Sequence, residues 1–111
     1  MHNAKRKMKL QSDYQCWCLW DMIEPDNVDP DTLPISNTLK ARLHLWEETF
    51  DKTLDLADHS NIGFNDEQEY HLFYEEGWEL LNLLRMELPD IEWWYRDRRY
   101  VELLREKPSS V

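Results

Sequence analysis

Two stretches of this chain place apolar residues at the spacing of a helical face, and the remainder has to fold around them. In the first, Leu39, Leu43, Trp46, Phe50, Leu54 and Ala57 step by three or four residues and therefore share one side of an α-helix. Ser36 precedes it, where a hydroxyl can accept an amide proton that the first turn leaves unpaired. Glu47, Glu48, Asp51 and Asp55 occupy the opposite side. A second helix is predicted over 66–88, capped by Asn65 with Gln68 three residues on, a capping-box arrangement. Its apolar face reads Tyr70, Phe73, Gly77, Leu80, Leu81, Leu84 and Leu88. A mid-helix glycine costs about 1 kcal/mol relative to alanine, so Gly77 predicts close approach of the first helix or of a large ring such as Trp46.

The flanks follow a different period. Residues 12–22 are rich in strand formers; Tyr14, Cys16, Cys18 and Trp20 alternate with Trp17 and Leu19, which predicts a strand partly buried on both sides. Residues 24–34 hold Pro25, Pro30 and Pro34 among acids and read as a loop. After Pro89, Ile91, Trp93 and Tyr95 alternate with Glu92, Trp94 and Arg96, a second strand. Tyr100, Val101, Leu103 and Leu104 allow a short closing helix before Pro108. The expected class is α+β: a small sheet from an N-terminal and a C-terminal strand, packed against a two-helix antiparallel hairpin. An all-helical packing is the alternative. Two strands alone are marginal, so an extra strand or a dimer contact would complete the sheet. Residues 12–107 are expected to form one compact acidic domain, with a basic extension over 1–11 and a polar tail over 108–111.

A length of 111 residues suits a single domain. Six Trp, five Tyr and three Phe supply the apolar surface that disordered chains lack. Charge is unevenly spread within the net of -10. Residues 1–9 hold four basic side chains and residues 96–111 hold five; between 10 and 95, Lys40, Arg42, Lys52 and Arg85 face 20 acids, a balance of -16. Such a field argues against nucleic acid as a direct ligand and favours a basic partner. The basic ends are expected to be solvated. No apolar stretch approaches the ~20 residues of a membrane helix, and the basic start leads into polar residues rather than a signal core. A cytoplasmic protein is expected.

Catalytic and metal motifs fit poorly. Cys16 and Cys18 offer half of a soft metal site without a second half, and His44, His59 and His71 show no ligand spacing. Strand residues two apart lie ~6.6 Å from each other, at the limit for a disulfide, so both cysteines are expected as buried free thiols. The acids Asp21, Glu24, Asp26, Asp29 and Asp31 invite a calcium reading, but no register supplies the alternating ligands, central glycine and closing glutamate of an EF-hand. A P-loop, dinucleotide fingerprint, nucleophile elbow and His-Glu zinc motif are missing. No catalytic residue, cofactor or metal is expected. Trp93, Trp94 and Tyr95 together with Trp17 and Trp20 are candidates for an aromatic binding surface. Trp93 and Trp94 must point to opposite sides of their strand, which leaves one of them, such as Trp94, as an aromatic anchor for a partner or as a surface beneath the closing helix.

The run from Trp17 through Leu19, Trp20 and Asp21 is followed by Asp26, Asn27, Val28, Asp29 and Pro30 and then by Leu33 and Pro34. Together with Leu39, Leu43, Trp46, Phe50, Asp51, Gly63, Phe64, Gly77, Glu87 and Leu88, it resembles the immunity proteins of contact-dependent growth inhibition and related polymorphic toxin systems. The resemblance spans about residues 12–96 and implies a protein that binds the toxin domain of its own strain and blocks it. The acidic centre independently suits a basic, nuclease-type toxin, because carboxylates can stand in for phosphates toward lysine and arginine. Partner-facing residues are expected in the loop (Asp21, Glu24, Asp26, Asp29, Asp31), on the first helix (Glu47, Glu48, Asp51, Asp55), on the second (Glu75, Glu76, Glu79) and at Trp94. A non-catalytic acidic adaptor for a basic cellular protein is the alternative. A small hydrolase would need a pocket of converging carboxylates with displaced pKa values.

Overall fold

The structure, a computed structural model, describes residues 6–56, 64 and 66–108, with the side chains of the first helix described as far as Thr53. In chain order the elements are β1 (Lys7–Leu10), β2 (Leu19–Asp21), β3 (Asp26–Val28), a 3₁₀ turn (Pro30–Thr32), α1 (Asn37–Leu56), α2 (Glu67–Glu87) and β4 (Glu92–Tyr95). The strands form one mixed sheet in the order β3-β2-β1-β4. β1 runs antiparallel to β2 and parallel to β4, so the helical hairpin serves as the crossover that returns the chain to the sheet. The α+β class, with N- and C-terminal strands against a two-helix hairpin, is the observed architecture.

The residues forming the sheet differ from those expected. Residues 7–10, assigned to a basic extension, form a central strand in which Met8 and Leu10 are fully buried. Lys-Met-Lys-Leu is a period-two pattern, and the lysine stems can lie along the other face while their ammonium groups reach water. The strand predicted over 12–22 survives only as Leu19–Asp21, because Gln15 adopts a φ of 60°, a left-handed conformation that no strand accommodates. β3 arises inside the proline-rich loop, and the 3₁₀ turn after it is capped by the Asp29 carboxylate on the Asp31 N–H. Residues 96–108 contain no helix. Instead, Tyr95 and Leu104 exchange N–H···O bonds of 2.8 and 3.0 Å, an isolated bridge that covers the C-terminal end of the β4 edge.

Ser36 caps α1 as expected, its Oγ accepting from the Leu39 N–H at 3.1 Å. Glu87 accepts from both the Ser36 N–H and its hydroxyl, at 2.6 and 2.8 Å, tying the start of one helix to the end of the other. The cap of α2 is Asp66, which accepts from the Glu69 N–H at 2.8 Å; Asn65, Ala57 and Gly63 lie outside the described residues, as does the side chain of Leu54.

The core is aromatic. Trp46 stacks on Phe73 with centroids 4.4 Å apart, and its Nε1 donates to the Phe73 carbonyl at 2.9 Å. Trp78 meets Tyr95 edge-on at 4.8 Å, and the Tyr95 hydroxyl donates to the Tyr74 carbonyl at 2.9 Å. Each ring thus buries apolar area while its polar atom is satisfied. Gly77 sits under this arrangement: a Cβ there would overlap the Tyr95 phenol and come within 3.0 Å of Trp46 Cζ2. The glycine makes room chiefly for a ring from β4, and secondarily for the ring of α1 that the spacing predicted. Tyr74 and Trp78 join the expected apolar face of α2 as buried residues.

Candidate functional site

The segment joining β1 to β2 is held against α1 by carboxylates. Asp51 Oδ1 accepts from the Gln15 N–H at 2.7 Å, and Glu47 Oε2 accepts from the Cys18 N–H at 2.9 Å. Asn27 closes the other side, accepting from the Trp17 N–H and donating to the Trp17 and Leu19 carbonyls. Tyr14 stacks on Phe50 at 4.5 Å, with its hydroxyl bonded to Thr53 at 2.8 Å. A non-glycine residue in the left-handed region costs on the order of 1 kcal/mol or more, and these bonds hold Gln15 there. The result is a cleft of about 480 Å³ lined by Gln15, Cys16, Trp17, Asn27, Glu47, Glu48 and Asp51, with His44 in its wall. Trp17 stands 42% exposed. Glu48, the residue after Glu47, is also exposed.

His44 connects this cleft to the proline-rich loop. Its Nδ1 lies 2.8 Å from Glu47 and its Nε2 3.0 Å from Asp31. Burial pulls the imidazole pKa down, but the hydrogen bonds and charges of Glu47 and Asp31 outweigh it and hold the group above its ordinary value. Asp29, Asp31 and His44 each bring one ligand atom within 4.8 Å of the others, so these three are the residues that could hold a cation. Their atoms are already engaged: Asp29 caps the 3₁₀ turn, and both nitrogens of His44 face carboxylates. Both cysteines are free; Cys18 is buried, with its thiol pushed well above its usual pKa by burial and by Glu47, whereas Cys16 lines the cleft and is only half-buried. The expectation of two core thiols holds for Cys18 alone, because Cys16 belongs to the loop rather than to a strand.

The expected partner-facing residues separate into groups. Glu47, Glu48 and Asp51 come together in the cleft, and Asp31 reaches it through His44. Asp21 turns inward to the Ile23 and Glu24 N–H groups and to Arg6, while Glu24 and Asp26 flank it on the rim of the sheet. The acids of α2 lie elsewhere and are paired: Glu76 and Glu79 with Arg42 at 2.8 and 3.7 Å, and Glu75 with Arg99 and Lys107. Trp94 is half-buried on the other face of the sheet, where its Nε1 donates to Glu92. The side chain of Asp55 lies outside the described residues. Trp17, a candidate for an aromatic binding surface, is exposed as that reading requires, but it stands on a loop that turns at Gln15 rather than on the expected strand, and the Asn27 side chain grips that loop's backbone.

These features define a small α+β domain with a carboxylate-lined cleft beside an exposed tryptophan. The chain belongs to the family described as Serratia CdiI immunity protein-like, whose pattern it matches over residues 6–98. A comparison with curated proteins finds no match. The matched span begins at β1 rather than at residue 12, which puts the central strand inside the family domain. It is thus an immunity protein of a contact-dependent inhibition system, and its family implies a cognate toxin as partner. No described helix is long and apolar enough to cross a membrane.

Proposed function

We propose that the protein neutralises its toxin by direct binding through the cleft between the Trp17 loop and α1, and that the toxin is a basic, nuclease-type domain. The observation that carries this reading is the exposed Trp17 beside Glu47, Glu48 and Asp51. Tryptophan is the commonest kind of interface anchor, and clustered carboxylates attract lysine and arginine before contact. The net charge of -10 extends that attraction, which salt screens over ~8 Å at physiological strength. Held by four backbone hydrogen bonds, the loop is ordered before it meets a partner, so little entropy is lost on binding. The protein acts by occupying the toxin and performs no chemistry of its own.

Binding kinetics against the toxin domain encoded beside this gene, at several salt concentrations and with a growth-rescue assay, test the proposal. Glu48→Lys should slow association and flatten its salt dependence. Trp17→Ala should speed dissociation by roughly 30-fold, about 2 kcal/mol, the scale of an interface hot spot. Binding and protection that survive both substitutions would move the interface away from the cleft. A toxin that is acidic, or one whose association is insensitive to salt, would overturn the charge argument.

A further inference from the structure

The sheet has a second face, turned away from the helices, and its register assembles a row that the linear sequence scatters. Asn27 of β3 pairs with Trp20 of β2, Trp20 with Lys9 of β1, and Lys9 with Trp94 of β4. Paired residues project to the same side, so two indoles flank one ammonium group. The Lys9 ammonium lies 6.0 Å from the centre of the Trp20 ring, and the Arg105 guanidinium 5.6 Å from that of Trp94. Arg96 prolongs β4 through its N–H bond to the Leu10 carbonyl, and its guanidinium holds the Tyr100 and Val101 carbonyls. On this face Lys7 is 3.9 Å from Glu92. Lys9, Arg96 and Arg105 form no ion pair among the described residues. Burial, with repulsion from Arg96 and Arg98, outweighs the opposing attraction of Asp13 and lowers the Lys9 pKa.

In a chain of net charge -10, this face gathers Lys7, Lys9, Arg96 and Arg105 around two tryptophans, and only Lys7 among them is in an ion pair, with Glu92. We propose that the open face of the sheet is a second docking surface, and that its occupant is an acidic segment of a partner protein. Carboxylates of that segment meet Lys9, Arg96 and Arg105, while its apolar atoms cover Trp20 and Trp94; tryptophan and arginine are the side chains enriched in protein interfaces. Single-stranded nucleic acid would also offer stacking and negative charge, but the few cations here would release few counterions, and the field of the whole chain opposes a phosphate backbone. Four short strands span about 15 Å by 12 Å, on the order of 200 Å², well below the ~800 Å² per partner of a standard interface. The surface therefore fits a short segment bound weakly. It is opposite in sign to the Trp17 cleft, and the inference does not rest on the toxin reading.

Titration of the full-length ¹⁵N-labelled protein with a deca-glutamate peptide tests it. Saturable shifts are expected for the indole N–H signals of Trp20 and Trp94 and the amides of Lys9 and Arg96, with the Trp17 indole unmoved. Lys9→Glu and, separately, Arg105→Glu should weaken binding at least tenfold, whereas Glu48→Lys should leave this pattern in place; the second variant guards against a folding defect in the first. Absence of shifts at millimolar peptide, or shifts that persist in both reversals, would overturn the proposal. So would tighter binding of a ten-nucleotide oligothymidylate at the same signals, or shifts that appear on raising protein concentration alone, which would assign the face to nucleic acid or to a second copy of the chain.

Discussion

The two sides of this domain are built from the same kinds of residue and reach opposite electrostatic states. In the cleft, Glu47 and Asp51 spend oxygens on the Cys18 and Gln15 N–H groups, so acids serve as struts for a loop that displays Trp17. On the open sheet face, Lys9 and Arg105 lie against Trp20 and Trp94, so cations cover the tryptophans. The difference shows that net charge alone says little about a surface this small: a chain of -10 still carries a cationic face. What decides is which charges the backbone consumes and which it leaves outward.

The most damaging substitution is expected between these two sides, at the buried acid that ties the segment after β4 to α2. Asp97 is fully buried; it accepts from Trp78 Nε1 at 2.8 Å and is gripped by Arg99, which also reaches Glu75. Burial would raise its pKa, but the Arg99 and Trp78 hydrogen bonds prevail and hold it below the usual carboxylate value. Asp97→Ala leaves Arg99 without its nearest partner and should cost about 3–5 kcal/mol by chemical denaturation. Because the folded pKa is depressed, the wild-type contribution is full above ~3.9 and is lost as pH falls through the folded value. A melt with the wild-type midpoint would make this network dispensable.

Gly77→Leu should destabilise the domain by about 1–3 kcal/mol through overpacking, since the added atoms meet the ring of Tyr95. That ring lies beneath β4, so amide exchange is expected to quicken in β4 and β1 before the Trp17 loop responds. Uniform loosening of both sides would show that the faces do not fold as separable units.

His44 sharpens the contrast by pH. Its pKa is raised in the folded state, so the Asp31–His44–Glu47 bridge is fully formed below about 6.5 and is lost as pH rises through the higher folded value. Fluorescence of the wild-type protein should report a change in the Trp17 environment over that interval, and His44→Gln should abolish it. A signal that follows pH unchanged in the variant would put the titrating group elsewhere.

The smallest expected effect is kinetic. Charge reversal of Glu48, an exposed side chain, should leave the thermal melt within about 0.5 kcal/mol of wild type while flattening the salt dependence of toxin association. A large loss of stability would mean that Glu48, like Glu47, is structural.

Both helices were legible in the chain because a buried helical face repeats every three or four residues and must stay apolar over five turns; Leu39, Leu43, Trp46 and Phe50 are all buried as that spacing requires. β4 was legible from alternation that begins just past a proline. β1 was hidden because a four-residue strand offers two apolar side chains, and the lysines between them dominated the pattern. Glu47, Glu48 and Asp51 line one cleft from one side of α1, as their spacing requires, yet helical periodicity cannot tell a free carboxylate from one that holds a loop. Hydrophobic period and capping chemistry are local properties, which is why residue order alone determined the α+β class and the two helical faces. Strand register, the left-handed turn at Gln15 that exposes Trp17, and the gathering of Lys9, Arg96 and Arg105 on one face join residues up to 96 positions apart. Only packing in three dimensions settles such pairings, because their energies exist only once the sheet has closed.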